Sequence, residues 1–211
     1  MSRSERVRFV LALTLFALAA TPLAGVRGQA ADSGTTPAPA AAPAWDGLER
    51  LTELAAENEI ALTRVRTLAL SKVTARDALL IIGPRKHLPV SSLSAFLREG
   101  GRVALLDDFG SGGRFLAAYQ VEREEAPRAG PSLRKDARLL LAYPRAEHPL
   151  AEGVPVLLTN EASALRHPDL KPVFVFGHSR HALALAGAVG AGRLVAIGDA
   201  SLLINQLLVL P

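Results

Sequence analysis

The chain has 211 residues, of which 49% are hydrophobic, 21% charged and 5% aromatic, and it contains no cysteine. This length and apolar fraction suffice for one domain with a real core and exclude a wholly disordered chain. The lack of cysteine excludes disulfide bonds, thiolate metal sites, cysteine nucleophiles and an acylated lipoprotein cysteine. The formal net charge is +4, which by itself would suggest an acidic partner.

The N-terminus has the three parts of a secretion signal. Three arginines among the first eight residues precede the apolar run 9–20, and Gly28 and Ala30 place small residues at a cleavage site. About 12 apolar residues precede the first proline, fewer than the roughly 20 that a membrane-spanning helix needs. We therefore predict a signal peptide over residues 1–30, cleaved after Ala30, and export by the general secretory route to the periplasm or cell envelope.

This prediction accounts for the basic charge. The first 30 residues carry a net charge of +3, which leaves +1 for the remainder. The chain has two tyrosines and one tryptophan, and no aromatic side chains alternate with its basic residues. We therefore expect no nucleic-acid partner.

A linker follows the predicted signal peptide. Residues 31–44 are almost all alanine, proline, threonine, serine and glycine, with one charge. Such a segment cannot bury enough apolar area to offset its conformational entropy. We predict a disordered Ala/Pro-rich linker over 31–44 and a folded domain over 45–211.

From residue 45 onward the hydrophobic pattern predicts alternating helices and strands. Apolar runs bounded by glycine and proline predict strands that are buried on both faces. In chain order, the predicted elements of the first half are a helix over 45–58, a strand over 60–65, a strand over 78–83, a helix over 91–100, a strand over 102–108, a Gly-rich loop over 110–113 and a short helix over 115–119.

The second half begins with a charged, proline-containing stretch, residues 122–138, that we predict to be an exposed excursion. The further predicted elements are strands over 139–142, 154–159, 173–176 and 194–198, and a helix over 202–208. Strands that alternate with helices favour an α/β fold with a parallel sheet covered on both faces.

Four segments and one later residue form a further pattern: residues 45–48, 78–84, 96–108 and 190–199, with Asn205. In this order they resemble an uncharacterised bacterial envelope family, the domain of unknown function 4350, which has a class I glutamine-amidotransferase-like fold. The chain is also similar to the gliding-motility-type auxiliary proteins of ABC transport systems. The resemblance implies a flavodoxin-like, three-layer, mostly parallel sheet, no assigned reaction, and a cell-envelope setting beside MoxR-type ATPases.

The chain departs from this pattern in two places. Amidotransferases have a cysteine on a strained turn after a central strand, and the matching place here has Asp107, Asp108 and Phe109, so thiolate chemistry is excluded. The chain also stops at Pro211, where relatives continue. Either the last helix closes the domain or a terminal membrane anchor is missing. We expect membrane association only through such an anchor or through an uncleaved signal.

Three aspartates are candidate ligand-binding residues. Asp107 and Asp108 follow one predicted buried strand and Asp199 follows another, which places them at the edge where open parallel sheets bind ligands. If the two strands are neighbours, these carboxylates and Asn205 could converge on a cation or a polar ligand. The alternative is local, because aspartate is also favoured at helix N-caps and Gly-rich turns.

Ser179 lies in the segment 177–181, which resembles the nucleophile elbow of hydrolases. The second glycine of that motif is replaced by His181, and no histidine follows it in the chain. A hairpin turn explains the segment better. We assign no catalytic residue, no metal and no cofactor, since the histidines also lack ligand spacing.

These observations favour a non-catalytic envelope domain that binds a protein partner or a small ligand, as an accessory of a membrane transport or MoxR-type ATPase system. The alternative is a metal-dependent or serine hydrolase that uses the aspartates or Ser179.

Overall fold

The computed structural model describes residues 8–13, 47–65, 67–145 and 147–208, and for 8–13, 205 and 206 it describes the backbone. Strands and helices alternate in the first half of these residues, and strands dominate the second half. The strands are β1 Arg8–Leu13, β2 Leu62–Val65, β3 Asp77–Ile82, β4 Arg102–Leu106, β5 Glu122–Glu125, β6 Leu141–Pro144, β7 Leu157–Leu158, β8 Ser163–Arg166, β9 Lys171–Phe176, β10 Ala182–Val189 and β11 Gly192–Ile197. The helices are α1 Glu49–Glu57, α2 Val90–Arg98, α3 Gly113–Ala118 and α4 Asn205–Leu208.

The strands form one mixed sheet in the order β2-β1-β3-β4-β11-β10-β9-β6-β7, and β5 and β8 form a ribbon that joins it through β10. From β2 to β11 the neighbours are parallel. If the five strands of this half are numbered by chain order, so that β11 is the fifth, their order in the sheet is 2-1-3-4-5. One type of doubly wound sheet has this order. From β11 to β7 the neighbours are antiparallel.

The α/β class is confirmed, but the expected flavodoxin-like, mostly parallel, three-layer arrangement is not, because most strand pairings are antiparallel. Two tight turns cause this difference. Residues 177–181 join β9 to β10, and Gly190 with Ala191 joins β10 to β11, and such short connections can link only antiparallel strands. The fully apolar strand β10 has the composition expected of a parallel strand. Composition therefore does not reveal its direction.

Two hydrophobic clusters cover the two faces of the sheet. On one face, Phe96 and Leu97 of α2 and Phe115 of α3 pack with Leu79 and Leu105 of the sheet. On the other face, residues that flank α1 and α4 pack against the opposite side of β3 and β4. Along β4, Val103 and Leu105 belong to the first cluster and Leu106 to the second, so a shift of one residue in register would exchange the two faces.

Several local predictions are confirmed with shifts of one to four residues at their ends. The predicted excursion over 122–138 is partly wrong, because β5 pairs antiparallel with β8, a strand that the sequence did not predict. Arg166 of β8 forms ion pairs with Glu122 and Glu124 across this ribbon. Hydrophobic periodicity cannot reveal a strand whose cross-strand contacts are ionic. The last helix is also shorter than predicted and begins at Asn205.

β1 lies within the predicted signal peptide. It occupies an interior position of the sheet, paired parallel with β3 over six residues and with β2 over four. The cleavage site at Ala30 and the linker 31–44 fall outside the described residues, so cleavage, linker and export stay predictions. Across the part of the chain that is described, no helix has the length and apolarity that crossing a bilayer requires.

Candidate functional site at the carboxyl edge of the parallel strands

The structure places the three candidate aspartates on adjacent strand ends. β4 and β11 are parallel neighbours, with Leu106 opposite Ile197, and the Asp107 N–H donates to the Ile197 carbonyl at 2.9 Å. Because neighbouring parallel strands end on the same side of a sheet, Asp107, Asp108 and Asp199 lie at one edge.

Asp107 is fully buried, and its carboxylate accepts hydrogen bonds from groups inside the protein. Its Oδ1 accepts a hydrogen bond from the Gly110 N–H at 2.8 Å, and its Oδ2 accepts one from the Gly112 N–H at 2.8 Å. Arg123 of β5 forms an ion pair with the same Oδ2. Burial raises the pKa of Asp107, while Arg123 and the two N–H groups act in the opposite direction. The carboxylate thus anchors the following loop.

The glycines of this loop are required by the close approach of its backbone to Asp107. A Cβ at Gly110 would overlap Oδ1 of the carboxylate. A Cβ at Gly112 would overlap Oδ2 and lie 2.9 Å from Cδ2 of Leu105. The sequence pattern Gly110 to Gly113 therefore reflects a loop that is wrapped around a buried carboxylate.

Asp199 is also fully buried and bonded locally. Its Oδ2 accepts from the Asn160 N–H at 2.8 Å, and its Oδ1 accepts from the Ser201 N–H at 2.7 Å and from the Ser201 hydroxyl at 2.6 Å. Burial is the main cause that raises the pKa of Asp199. The residue ties the turn after β11 to the loop before β8.

The other two candidates differ from these. Asp108 is partly exposed, and its Oδ1 accepts from the N–H of Phe109 at 2.6 Å. Asn205 begins α4, and its side chain lies outside what the structure describes. Within the described residues, no group of three or more histidine and carboxylate side chains is arranged to hold a metal ion. Of the three aspartates, Asp108 alone presents a carboxylate toward solvent.

Ser179 does not have the surroundings of a hydrolase nucleophile. It lies in the turn between β9 and β10, where its hydroxyl accepts from the His181 N–H at 3.2 Å. A nucleophile elbow joins a strand to a helix, whereas here a strand follows. The predicted hairpin turn is confirmed. Two loop histidines also have local roles, since Nδ1 of His148 and of His167 accepts backbone N–H groups of the turns that follow.

Two features of the site were not predicted. Phe109 is 75% exposed at the tip of the loop that Asp107 anchors, and Arg123 comes from a stretch predicted to be an exposed excursion. The exposure of Phe109 has a local signal in the sequence, because its neighbours Asp108 and Gly110 have no apolar side chains that could pack on the ring. Nothing local indicates the second, because the ion pair joins residues 16 apart in sequence.

Two open grooves lie in the described structure, and Arg123, the partner of Asp107, lines one of them. One, of about 1060 Å³, is formed by residues of α3, β5 and β8, including Arg123 and His167. Another lies over residues 144–152. Neither is lined by Asp107, Asp108, Asp199 or Phe109.

Comparison with known proteins decides the family. The domain of unknown function DUF4350 matches residues 40–210, most of the chain. The chain belongs to the DUF4350 family. No curated protein matches the DUF4350 chain.

Solved structures resemble the DUF4350 chain in fold. A putative ThuA-like protein from Bacteroides uniformis is 9% identical, with a TM-score of 0.51, 95% of this chain and 84% of that chain covered. A cytoplasmic protein from Salmonella typhimurium LT2 is 13% identical, with a TM-score of 0.55 and coverages of 72% and 76%. At such identities the likeness concerns the fold alone, and the ThuA-like neighbour is consistent with an amidotransferase-like architecture.

Glycosidases are also among the similar structures. Gan42B, a GH42 β-galactosidase from G. stearothermophilus, is 12% identical with a TM-score of 0.50, and 70% of the DUF4350 chain and 22% of the enzyme are covered. The chain likewise spans 26% of an exo-β-1,4-mannosidase from an Opitutaceae bacterium. It thus corresponds to about a quarter of each enzyme.

Proposed function

We propose that this domain is a non-catalytic binding module of the cell envelope, an accessory of a membrane transport or MoxR-type ATPase system. The proposal rests on one observation, the state of Asp107. The resemblance to amidotransferases places a nucleophile at the end of β4, and here that place has a fully buried carboxylate with three internal donors.

A carboxylate that is buried and fully hydrogen-bonded stabilises the fold and is not available as a nucleophile or general base. A nucleophile or general base must reach the substrate or its proton, at about 2.6–3.2 Å or through one water. Asp107 has no exposed surface, and both of its oxygens already accept hydrogen bonds. Asp199 is in the same state. The edge of the sheet is therefore built as a scaffold.

The scaffold presents one large apolar side chain, Phe109. Asp107 holds the loop from inside, and Ser111 holds it from outside, with its N–H on the Pro84 carbonyl at 2.7 Å and its hydroxyl on the Arg85 carbonyl at 3.0 Å. An aromatic side chain on an ordered loop loses little conformational entropy on binding. Small ligands need concave sites, and Phe109 lines neither of the two grooves described above, so a protein partner suits this side chain better.

The experiment is a comparison of captured proteins. Tagged wild type, Phe109→Ala and Leu150→Ala are incubated with envelope extracts and the retained proteins are quantified. Leu150 is the matched control, an exposed apolar residue (46%) in another loop. We expect at least one protein to be retained by wild type and Leu150→Ala and to be reduced at least tenfold by Phe109→Ala. Equal retention by all three variants would contradict binding through Phe109.

The identity of that protein tests the remainder of the proposal. A transporter component or a MoxR-type ATPase would support the accessory role. A partner of another class would still support a binding module but would contradict the accessory role in a transport or MoxR-type ATPase system.

A further inference from the structure

The sheet contains a position that the exported chain cannot fill by itself. β1 lies between β2 and β3 and is parallel to both. β1 lies within the predicted signal peptide and overlaps its apolar run 9–20, so cleavage after Ala30 removes the strand. The family match begins at residue 40, so the strand that fills this position also lies outside the matched residues. We call the position between β2 and β3 the β1 slot.

Loss of β1 leaves two facing strand edges. Neighbouring strands lie about 4.8 Å apart, so β2 and β3 are separated by roughly 10 Å when β1 is absent, too far for direct hydrogen bonds. Each edge then presents a row of unpaired backbone N–H and C=O groups, which template the addition of another strand. Because the groups belong to the backbone, a strand from another molecule can pair with them as β1 does.

The linker is a poor occupant. Residues 31–44 contain prolines at 37, 39 and 43, and proline cannot donate a hydrogen bond inside a sheet. The longest stretch free of proline is Ala-Asp-Ser-Gly-Thr-Thr, residues 31–36, which is polar. The neighbouring strand β3 is apolar throughout its buried part, and apolar residues such as Leu70 and Leu51 pack on the clusters of the two faces. An interior strand at this point must be apolar on both faces.

We propose that the β1 slot of the exported protein binds an apolar, proline-free β-strand of a partner protein, parallel to β3 and in the register of Arg8–Leu13. The chemistry of the occupant follows from the segment that occupies the slot in this structure, Arg-Phe-Val-Leu-Ala-Leu. The inference rests on the proposed export and is independent of Phe109, so strand binding in the slot and binding through Phe109 can fail separately.

The first step of the test establishes the exported form. The full chain is expressed with its own N-terminus, and the mass of the protein recovered from the periplasm is measured. A chain that starts after Ala30 leaves the slot without its own strand. A periplasmic protein that retains residues 8–13 overturns the inference and leaves the capture experiment on Phe109 unaffected. Failure of export overturns both the inference and the envelope location in the proposed function.

The second step uses a labelled peptide of residues 8–14 as the probe for the exported protein. We expect saturable binding that is weakened at least tenfold when the peptide carries Leu11→Pro, which removes one backbone donor and keeps the apolar character. If the exported protein is unfolded alone, the expected result is recovery of its circular dichroism with the first peptide and not with the second. No binding and no recovery, or equal effects of both peptides, overturn the proposal.

The third step measures the register of the bound peptide by disulfide cross-linking. The chain has no native cysteine that could form a competing disulfide. Val10 is opposite Thr63 of β2. A peptide with Val10→Cys is expected to form a disulfide with the Thr63→Cys protein at least tenfold faster than with Arg64→Cys, because neighbouring residues of a strand point to opposite faces. Equal rates would show that the peptide adheres without entering the slot and would overturn the proposal.

Discussion

Arg123 of β5 forms an ion pair with the buried carboxylate of Asp107, which follows β4. The pair joins the charged ribbon of β5 and β8 to the central sheet. It also completes the set of donors around a carboxylate whose other partners are the N–H groups of Gly110 and Gly112. Asp107 thus holds both the ribbon, through Arg123, and the loop that carries Phe109.

Replacement of Arg123 should therefore cost much more stability than replacement of Arg166 on the same ribbon. Arg123→Gln leaves a buried carboxylate without its cation, and we expect it to lower the free energy of unfolding by about 3 kcal/mol. Arg166→Gln removes exposed ion pairs to Glu122 and Glu124, worth about 0.5 kcal/mol. Urea denaturation of both variants measures the difference. Equal losses would mean that the ribbon is held by its surface charges.

The burial of Asp199 gives stability a defined pH dependence. Its pKa is raised in the folded protein, so the folded state binds more protons than the unfolded state above pH 3.8. The contribution of this carboxyl to stability is therefore largest at low pH and falls as the pH rises through its raised pKa. We expect the stability advantage of wild type over Asp199→Asn to shrink between pH 4 and pH 8 in urea titrations. An advantage that grows over this range would show that hydrogen bonds to the carboxylate outweigh its desolvation.

Gly198, after β11, should tolerate no side chain. A Cβ there would overlap the carbonyl oxygen of Ser163, which is backbone and cannot rotate away. The Gly198 carbonyl accepts from the Ser163 N–H at 2.7 Å, so displacement also breaks that bond. We expect Gly198→Ala to destabilise by about 3 kcal/mol. Gly130→Ala, where a Cβ meets nothing within 4 Å, is the control and should stay within about 0.5 kcal/mol of wild type in thermal unfolding.

Divalent cations should not bind at the carboxyl edge. Asp107 and Asp199 use their oxygens internally, which leaves the single carboxylate of Asp108 partly exposed. Ca²⁺ takes six to eight oxygen ligands, and Mg²⁺ demands octahedral geometry. We expect calorimetric titration of wild type with either ion to give no saturable heat. Saturable heat that disappears in Asp108→Asn would contradict this and restore the ligand-binding hypothesis for the aspartates.

Much of the first half of the fold was predictable because its signals are local. Buried strands such as β3 and β4 are apolar runs that end at glycine, proline or aspartate, and α2 repeats apolar residues at helical spacing. The position of Asp107 and Asp199 at one edge also followed from the sequence, once β4 and β11 are parallel neighbours. The existence of β5 and β8 did not follow, because it depends on which strands meet.

The candidate site divides in the same way. Aspartate at two strand ends was visible in the sequence, but its role was not. Whether a carboxylate faces solvent or accepts hydrogen bonds in the interior depends on the donors that the fold brings to it. For Asp107 one of these donors, Arg123, arrives from β5, an element that hydrophobic periodicity does not reveal.

The chain has a basic charge, the length of a single domain and no cysteine. The sequence alone determined that thiolate chemistry is excluded, because no fold can supply a missing atom. It also determined the local elements, because periodicity and turn residues act over a few positions. The tertiary structure decided that the carboxylates of Asp107 and Asp199 accept hydrogen bonds inside the protein and that residues 8–13 occupy an interior strand. Those outcomes depend on backbone hydrogen bonds and burial between distant segments, and the identity of one residue does not specify its distant partner.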